Sequence, residues 1–163
     1  LWEHQALTRA RFVAGDQGVG QGFEAARAAI LRQPRRLAAL AGEVVAMRRK
    51  LLDSRSGRGR GFSVKDDPGG LVDFEFIIQY LVLGHAHDHP RLVANLGNIA
   101  LARIAGELGL IDPRRAKAAA DAYRRLRQIQ HRLRLNGERG WLAGEGAAAE
   151  RQAIGELWQE VFG

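Results

Sequence analysis

A long apolar segment from Leu71 to about His87 is the feature that most constrains how this chain can fold. Phenylalanine, isoleucine, leucine and valine fill it with few polar interruptions, so most of its sides need cover from water. A strand over residues 74–83 is an alternative, but the uninterrupted length of the segment favours a helix. We therefore expect a central, largely buried helix.

The part of the chain before this segment has apolar residues at three- and four-residue steps, the spacing of an amphipathic helix. We predict a first helix over residues 1–14, a glycine-rich link over 15–22 and a short helix over 23–31. Pro34 suits the first position of a third helix, since its missing N–H costs nothing there. That helix is expected to reach about Ser54.

The part after the apolar segment carries clearer start signals. Asn98 is expected to cap one helix, and Asp112 with Pro113 marks the start of a long one that ends near Leu135. A last helix is predicted over residues 147–161 from its apolar spacing. The sequence therefore contains helix signals along most of its length.

Six or seven helices joined by short links predict an all-α bundle, with residues 1–163 forming a single helical domain. Residues 62–65 are short, alternating and bounded by glycine and proline, which permits at most a trace of β structure there. Residues 140–146 are interpreted as a loop. No repeat of fixed period is present, which argues against a solenoid.

Composition and charge limit the possible functions. The chain has no cysteine, which excludes disulfides and thiolate metal sites and makes a reducing cytoplasm the expected location. The formal net charge of +7 suits nucleotide phosphates or an acidic partner, although a GC-rich genome also enriches arginine, alanine and glycine. No apolar run approaches the ~20 residues that span a bilayer, so no membrane association is expected. Because the chain starts at Leu1, we interpret it as an excised fragment.

Two adjacent glycines lead directly into the apolar helix. The first turn of a helix presents unpaired N–H groups, and Gly69 and Gly70 would let a phosphate approach them, with Lys65 reaching the same anion. Asp73 and Glu75 would point about 200° apart on a helix and cannot chelate one metal as a pair. One of them would hold the turn or a basic group while the other faces a site. A helix start without a ligand fits the same spacing.

A histidine-rich tract with His85, His87, His89 and Asp88 has the residue types of a zinc or nickel site. His85 and His87 would point to different sides of a helix, and Pro90 indicates that the helix ends there. Histidines at the C-terminal end of a helix are also favoured by its dipole. We therefore expect no native metal site.

The helix that begins at Pro113 is rich in arginine, a pattern typical of nucleic-acid-binding proteins. Tyr123 is its only aromatic residue, so a solvated helix face is the favoured interpretation and no nucleic-acid partner is expected.

The chain has no Walker loop and no Ser/His/Asp arrangement. It also lacks the clustered carboxylates that hold two metals in nucleotidyl transfer. We therefore expect no catalytic residue in this chain.

Four segments match motifs of one known family. Residues 2–11 (Trp-Glu-His-Gln-Ala-Leu-Thr-Arg-Ala-Arg) resemble the segment that follows the catalytic domain in its adenylylating half, and residues 44–50 are similar to its Glu-Val-x-x-Met-Arg-x-Lys segment. Its most distinctive signature is matched by Lys-Asp-Asp-Pro-Gly-Gly and the residues that follow, within 65–83, and residues 123–135 continue the match. The chain thus resembles glutamine synthetase adenylyltransferase, although Phe-Ser-Val-Lys at 62–65 replaces the family's Phe-Asp-Leu-Lys.

This resemblance implies a bifunctional parent enzyme that transfers AMP from ATP to a tyrosine of glutamine synthetase and removes it at a second site. The chain would be the helical domain after the second nucleotidyltransferase domain, at the C-terminal end, and inactive alone. ATP and Mg²⁺ would serve the full-length enzyme, with glutamine synthetase and a PII signal protein as partners. Its nucleotide-facing residues would be Lys65, Gly69, Gly70, Asp73 and Glu75. The alternative is a docking module for glutamine synthetase or a PII protein, without nucleotide contact.

Overall fold

Helices dominate a computed structural model that describes residues 1–54, 61–138, 140–143 and 146–163. The described residues contain seven α-helices, which confirms the all-α prediction, and one short 3-10 helix at Pro90–Val93. The α-helices are α1 (Trp2–Leu7), α2 (Gln17–Leu31), α3 (Leu37–Asp53), α4 (Leu71–His85), α5 (Asn98–Glu107), α6 (Pro113–Leu135) and α7 (Ala148–Phe162). Two short strands are β1 (Phe62–Ser63) and β2 (Trp141–Leu142). None of the described helices is long and apolar enough to cross a membrane.

Helix α4 occupies the centre of the molecule, as its composition predicts. It contacts α1, α3, α5, α6, α7 and the 3-10 helix. Phe74 and Ile77 are fully buried, and apolar residues on the other sides of α4 are buried too. The strand alternative for this segment is wrong, because residues 71–85 form a helix that surrounding helices bury on most of its faces.

Small residues let α6 pack closely against its neighbours. Ala116 and Ala119 are buried, and a Cβ at position 106 of α5 would lie only 3.2 Å from Pro113 Cα. The predicted start of α6 is confirmed, since the Asp112 carboxylate accepts hydrogen bonds from the amides of Arg114 and Arg115, both at 2.9 Å. Helix α6 lies against α5 and also packs along α7.

The predicted boundary between the first two helices is wrong. Helix α1 ends at Leu7 instead of residue 14, and α2 begins at Gln17 instead of residue 23. The buried Arg27 guanidinium donates to the carbonyls of Leu7 (2.9 Å) and Thr8 (3.3 Å), which satisfies backbone groups at the end of α1. Asp16 caps α2 by accepting from the Val19 amide at 3.0 Å, so the glycine-rich link becomes the first turns of a helix.

Two further helix starts differ from expectation. Helix α3 begins at Leu37, after Pro34, because Arg35 donates to the carbonyls of Ile30 (2.9 Å) and Leu83 (3.0 Å) and holds the preceding stretch out of the helix. The cap of α5 is Gly97 rather than Asn98. The Asn98 side chain is instead buried, where it takes part in the site described below.

A two-stranded antiparallel ladder joins distant parts of the chain. Phe62 pairs with Leu142, and Ser63 pairs with Trp141. The trace of β structure predicted near residues 62–65 is therefore present, whereas the loop predicted over 140–146 is wrong at positions 141–142; residues 144–145 lie outside the described part. Local sequence carries no signal for this pairing, because the partner strand lies far along the chain.

Candidate functional site

The turn before α4 uses its own backbone N–H groups within the fold. All four consecutive amides from position 69 to position 72 donate to oxygen atoms of the same chain, so a ligand anion there would compete with existing hydrogen bonds. These bonds run from Gly69 to Asp73 Oδ2 (2.7 Å), Gly70 to the Asp67 carbonyl (2.8 Å), Leu71 to the Val64 carbonyl (3.0 Å) and Val72 to the Lys65 carbonyl (3.0 Å).

The two glycines of this turn have a steric role as well. Gly69 has φ = 79°, and a Cβ there would lie 2.6 Å from the Arg151 carbonyl oxygen of α7. A Cβ on Gly70 would lie 2.8 Å from the Asp67 carbonyl oxygen. Position 69 needs glycine for its left-handed backbone as well as for its small size. Gly70 has an extended backbone, so only the small size of glycine is needed there. The turn can therefore pack directly against the backbone of α7.

Asp73 is a buried carboxylate that is paired within the fold. It is 6% exposed and forms an ion pair with Nε of Arg48, a residue of α3 that is itself 4% exposed. Its second carboxylate oxygen accepts from the Gly69 amide, and Arg48 Nη2 donates to the Asp66 carbonyl at 2.7 Å. Removing one member of such a pair leaves an uncompensated buried charge. Asp73 therefore connects α3, the turn and α4.

Glu75 lies elsewhere on α4 and is more accessible to solvent. Its carboxylate accepts hydrogen bonds from the Tyr123 hydroxyl at 2.9 Å and from Arg9 Nη1 at 3.2 Å. Burial and the nearby negative charge of Glu75 raise the pKa of Tyr123 to about 12. Because Tyr123 stays protonated at neutral pH, it remains a hydrogen-bond donor to Glu75. Asn98 donates to the same hydroxyl at 3.4 Å.

The structure divides the predicted site between two cavities. Lys65 and Glu75 both line a cleft of about 470 Å³ between α1, α3, α4 and the turn, which we call the α1–α4 cleft. Gly69 and Asp73 line a separate recess of about 300 Å³ beside α7, and Gly70 lines neither cavity. Arg48 lines both. The predicted residues thus come together only in part.

Sequence reasoning missed the contribution of α1 to this cleft. Trp2 and Gln5 line one wall, and Gln5 Nε2 donates to Gln79 Oε1 of α4 at 3.0 Å. A signal was present, because residues three apart share one face of a helix and Phe76 and Gln79 have the same spacing on α4. What the sequence lacked was any indication that these two faces meet.

The histidine tract does not assemble into a cation site. Across the part of the chain that the structure describes, no three His, Cys, Asp or Glu residues are placed to hold a metal ion. His87 Nδ1 lies 3.0 Å from the Arg32 carbonyl oxygen, whereas the His85 ring lies edge-on to Tyr80 with centroids 6.2 Å apart. Burial, with the charge of His89, lowers the pKa of His85, and Asp88 partly opposes this shift.

Comparisons with known proteins agree with the motif resemblance. The family model described as GlnD PII-uridylyltransferase matches residues 45–141. The bifunctional glutamine synthetase adenylyltransferase/adenylyl-removing enzyme of Aromatoleum aromaticum is 57% identical over 163 residues, covering 100% of this chain and 17% of the relative. The enzymes of the same name from Bordetella bronchiseptica (55% identical, 99% of this chain, 17% of the relative) and Nitrosomonas eutropha (47%, 100% and 19%) also match.

The chain spans less than a fifth of the length of these curated relatives. It is nevertheless matched along its whole length, and the family model covers more than half of it. The chain therefore belongs to the family described as GlnD PII-uridylyltransferase, and over its full length it is similar to a segment of bifunctional glutamine synthetase adenylyltransferase/adenylyl-removing enzymes.

Proposed function

We propose that this chain is a helical accessory domain at the C-terminal end of a longer glutamine synthetase adenylyltransferase/adenylyl-removing enzyme. In this proposal a nucleotidyltransferase domain earlier in the same polypeptide binds ATP and Mg²⁺ and performs the transfer of AMP to glutamine synthetase in the cytoplasm. The present chain contributes a surface to that reaction and is inactive alone. Similarity over the whole length of this chain to a segment of an enzyme of that name supports the assignment.

The α1–α4 cleft is the surface that we propose faces the nucleotide. Lys65 is exposed at this cleft, and its ammonium group makes no hydrogen bond or ion pair with the described residues. A lysine in this state can bind phosphate oxygens through charge-assisted hydrogen bonds. Glu75 lines the same cleft and is held by Tyr123 and Arg9. The meeting of Lys65 and Glu75 in one cleft is the observation that carries this proposal.

The other three predicted residues act indirectly in this proposal. Gly69, Gly70 and Asp73 fix the turn that follows Lys65, through the hydrogen bonds, the close approach to α7 and the Arg48 ion pair described above. They therefore set the position of Lys65 without needing to touch a phosphate.

A chimera provides the test. The matching segment of the Aromatoleum aromaticum enzyme is replaced with this chain, and AMP transfer to glutamine synthetase is measured as a function of ATP concentration. We expect Lys65→Ala to lower kcat/KM for ATP about tenfold or more, the loss of one charge-assisted hydrogen bond. Lys65→Arg should retain much of the rate.

The matched control is Lys117→Ala, because Lys117 is an exposed lysine of α6 whose ammonium group pairs with Asp121 on the surface. It should leave the transfer rate unchanged, since exposed ion pairs contribute little. A wild-type rate in the Lys65→Ala chimera would refute the proposed role of the cleft.

Helix α6 favours a second candidate function, docking of a protein partner. Arg127, Arg132 and Arg134 are exposed near its C-terminal end and form no ion pair with the described residues. Such a surface suits an acidic patch on glutamine synthetase or a PII protein. Docking predicts that the chain binds one of these proteins without nucleotide and that Arg127→Glu with Arg134→Glu abolishes binding. Failure of the unmodified chain to bind either protein contradicts it.

A further inference from the structure

The indole of Trp2 is a large apolar group with an accessible surface in this chain. It is 62% exposed and lines the α1–α4 cleft. An accessible aromatic face at a concave site is the arrangement on which proteins stack planar bases, and such stacking tolerates any base because every base has a π-face. Trp2 therefore supplies a platform for a flat heteroaromatic group.

The paired glutamines supply hydrogen-bonding groups beside that platform. Gln5 is 4% exposed, and it spends one amide hydrogen on Gln79 Oε1. A glutamine amide has two donor hydrogens and a carbonyl acceptor, so Gln5 Oε1 and the Gln79 amino group keep capacity that no other described residue takes up. A single glutamine amide binds the edge of adenine with one donor and one acceptor. Here the unused acceptor is on Gln5 and the unused donor is on Gln79, so the pair offers both kinds of group to a base.

The size and polarity of the cleft fit a nucleoside phosphate. Its volume of about 470 Å³ is within the usual range for small-molecule sites. Ala6, Val72 and Phe76 give it an apolar lining, and Lys65 places a positive charge in the same cleft. The Glu75 carboxylate also lines the cleft, where it is engaged by Arg9 and Tyr123. An apolar base and an anionic phosphate would thus each meet a suitable group.

We propose that the α1–α4 cleft binds an adenine nucleotide directly, with Trp2 stacked on the base, the Gln5–Gln79 pair on its edge and Lys65 on its phosphate. This inference rests on the proposed function, in which the α1–α4 cleft faces the nucleotide. It adds a base site formed by α1, which the motifs of the turn alone do not indicate.

The test is a titration of the isotopically labelled 163-residue chain with adenosine, AMP, cytidine and tripolyphosphate, followed by NMR. We expect adenosine and AMP to shift the Trp2 indole signal and the side-chain amide signals of Gln5 and Gln79. AMP should bind more tightly than adenosine, and cytidine more weakly. A response to tripolyphosphate without a response to adenosine, or no response to any of the four, overturns the base site.

Variants separate the base site from a simple anion site. Trp2→Ala should weaken adenosine binding about tenfold, the effect of losing one stacked base. The matched control is Leu135→Ala, which removes an exposed apolar side chain (74% exposed) outside the cleft and should leave binding unchanged. Lys65→Ala should weaken AMP without affecting adenosine. Unchanged adenosine affinity in Trp2→Ala would refute the stacking role.

The chimera experiment and this titration can fail independently. If Lys65→Ala chimeras transfer AMP at the wild-type rate while the chain still binds adenosine through Trp2, the proposed function is wrong and the base site stands. If the chimeras lose activity while adenosine does not bind, Lys65 acts on the phosphate alone and the base site is wrong.

Discussion

At the scale of single residues, Tyr123 shows how a buried hydroxyl can position a carboxylate. Its ring stacks on Phe74 with centroids 4.7 Å apart, and its hydroxyl contacts both Glu75 and Asn98. The ring contributes to the core of the bundle, whereas the hydroxyl holds Glu75, which lines the α1–α4 cleft. The two contributions can be separated, because phenylalanine keeps the first and removes the second.

We expect Tyr123→Phe to lower the free energy of unfolding by about 1–2 kcal/mol, because the stacking contact remains while Glu75 and Asn98 lose a shared partner. Urea unfolding measures the change. Tyr80→Phe is the matched control, since Tyr80 is also buried but its hydroxyl forms no hydrogen bond with the described residues. Equal losses in the two variants would contradict the role assigned to the Tyr123 hydroxyl.

The lowered pKa of His85 predicts a pH dependence of stability. The unfolded state binds a proton at His85 more readily than the folded state, so this residue's contribution is fully present above the unfolded pKa of about 6.5. It is lost as pH falls through the lower folded pKa. We expect His85→Gln to reduce the loss of stability below about pH 6.5, measured as the urea midpoint across pH. An identical decline in wild type and variant would contradict this assignment.

At the scale of elements, the junction between the turn and α7 depends on the absence of a side chain at position 69. Gly69 combines a positive φ with a close backbone approach to Arg151, whereas Gly109 has a similar φ of 71° with open space around it. A comparison of substitutions at Gly69 and Gly109 therefore separates the cost of a left-handed backbone from the cost of a steric clash with α7.

We expect Gly109→Ala to cost about 1–2 kcal/mol of unfolding free energy, from the left-handed backbone alone. Gly69→Ala should cost about 1–3 kcal/mol more, because its Cβ also overlaps the backbone of α7. Thermal and urea unfolding of both variants measure the difference. Equal costs would show that α7 moves away without penalty.

How far the sequence predicts the elements depends on how local their causes are. The apolar length of α4 and the Asp112-Pro113 start of α6 are local, and both were predicted. The end of α1 depends on Arg27, twenty positions away, and the start of α2 includes Gly20, where a Cβ would lie 2.8 Å from the Phe12 ring. Such tertiary causes leave no periodic signal.

The candidate site also has one part with a local cause in the sequence and another part with a tertiary cause. The order of Lys65, Gly69 and Gly70 predicts an anion site at the turn. The structure shows that the amides of both glycines are engaged within the fold, and that the cleft owes one wall to Trp2 and Gln5. The packing of α1 against α4 decides this, and local sequence does not encode it.

At the scale of the whole molecule, one continuous apolar core joins the helices. Buried residues from α2 to α7 belong to the same cluster, and Leu1 and Leu7 at the two ends of α1 pack against it. A shared core couples the elements, so that no helix can be lost without exposing the others.

We therefore expect a single cooperative unfolding transition. Far-UV circular dichroism reports all helices, and tryptophan fluorescence reports α1, β2 and α7 through Trp2, Trp141 and Trp158. The two urea curves should coincide. An earlier fluorescence transition that is absent in a Trp2→Phe variant would show that α1 detaches separately.

The ladder between β1 and β2 has a consequence for the order of folding. It joins position 62 to position 142, so α4, α5 and α6 all lie within the loop that it closes. Closing so long a loop carries an entropic cost before the few hydrogen bonds of the ladder form. The ladder should therefore form late, after the enclosed helices have packed. A Cβ at Gly61, only 2.0 Å from the Leu142 carbonyl oxygen, would then accelerate unfolding and leave the folding rate nearly unchanged.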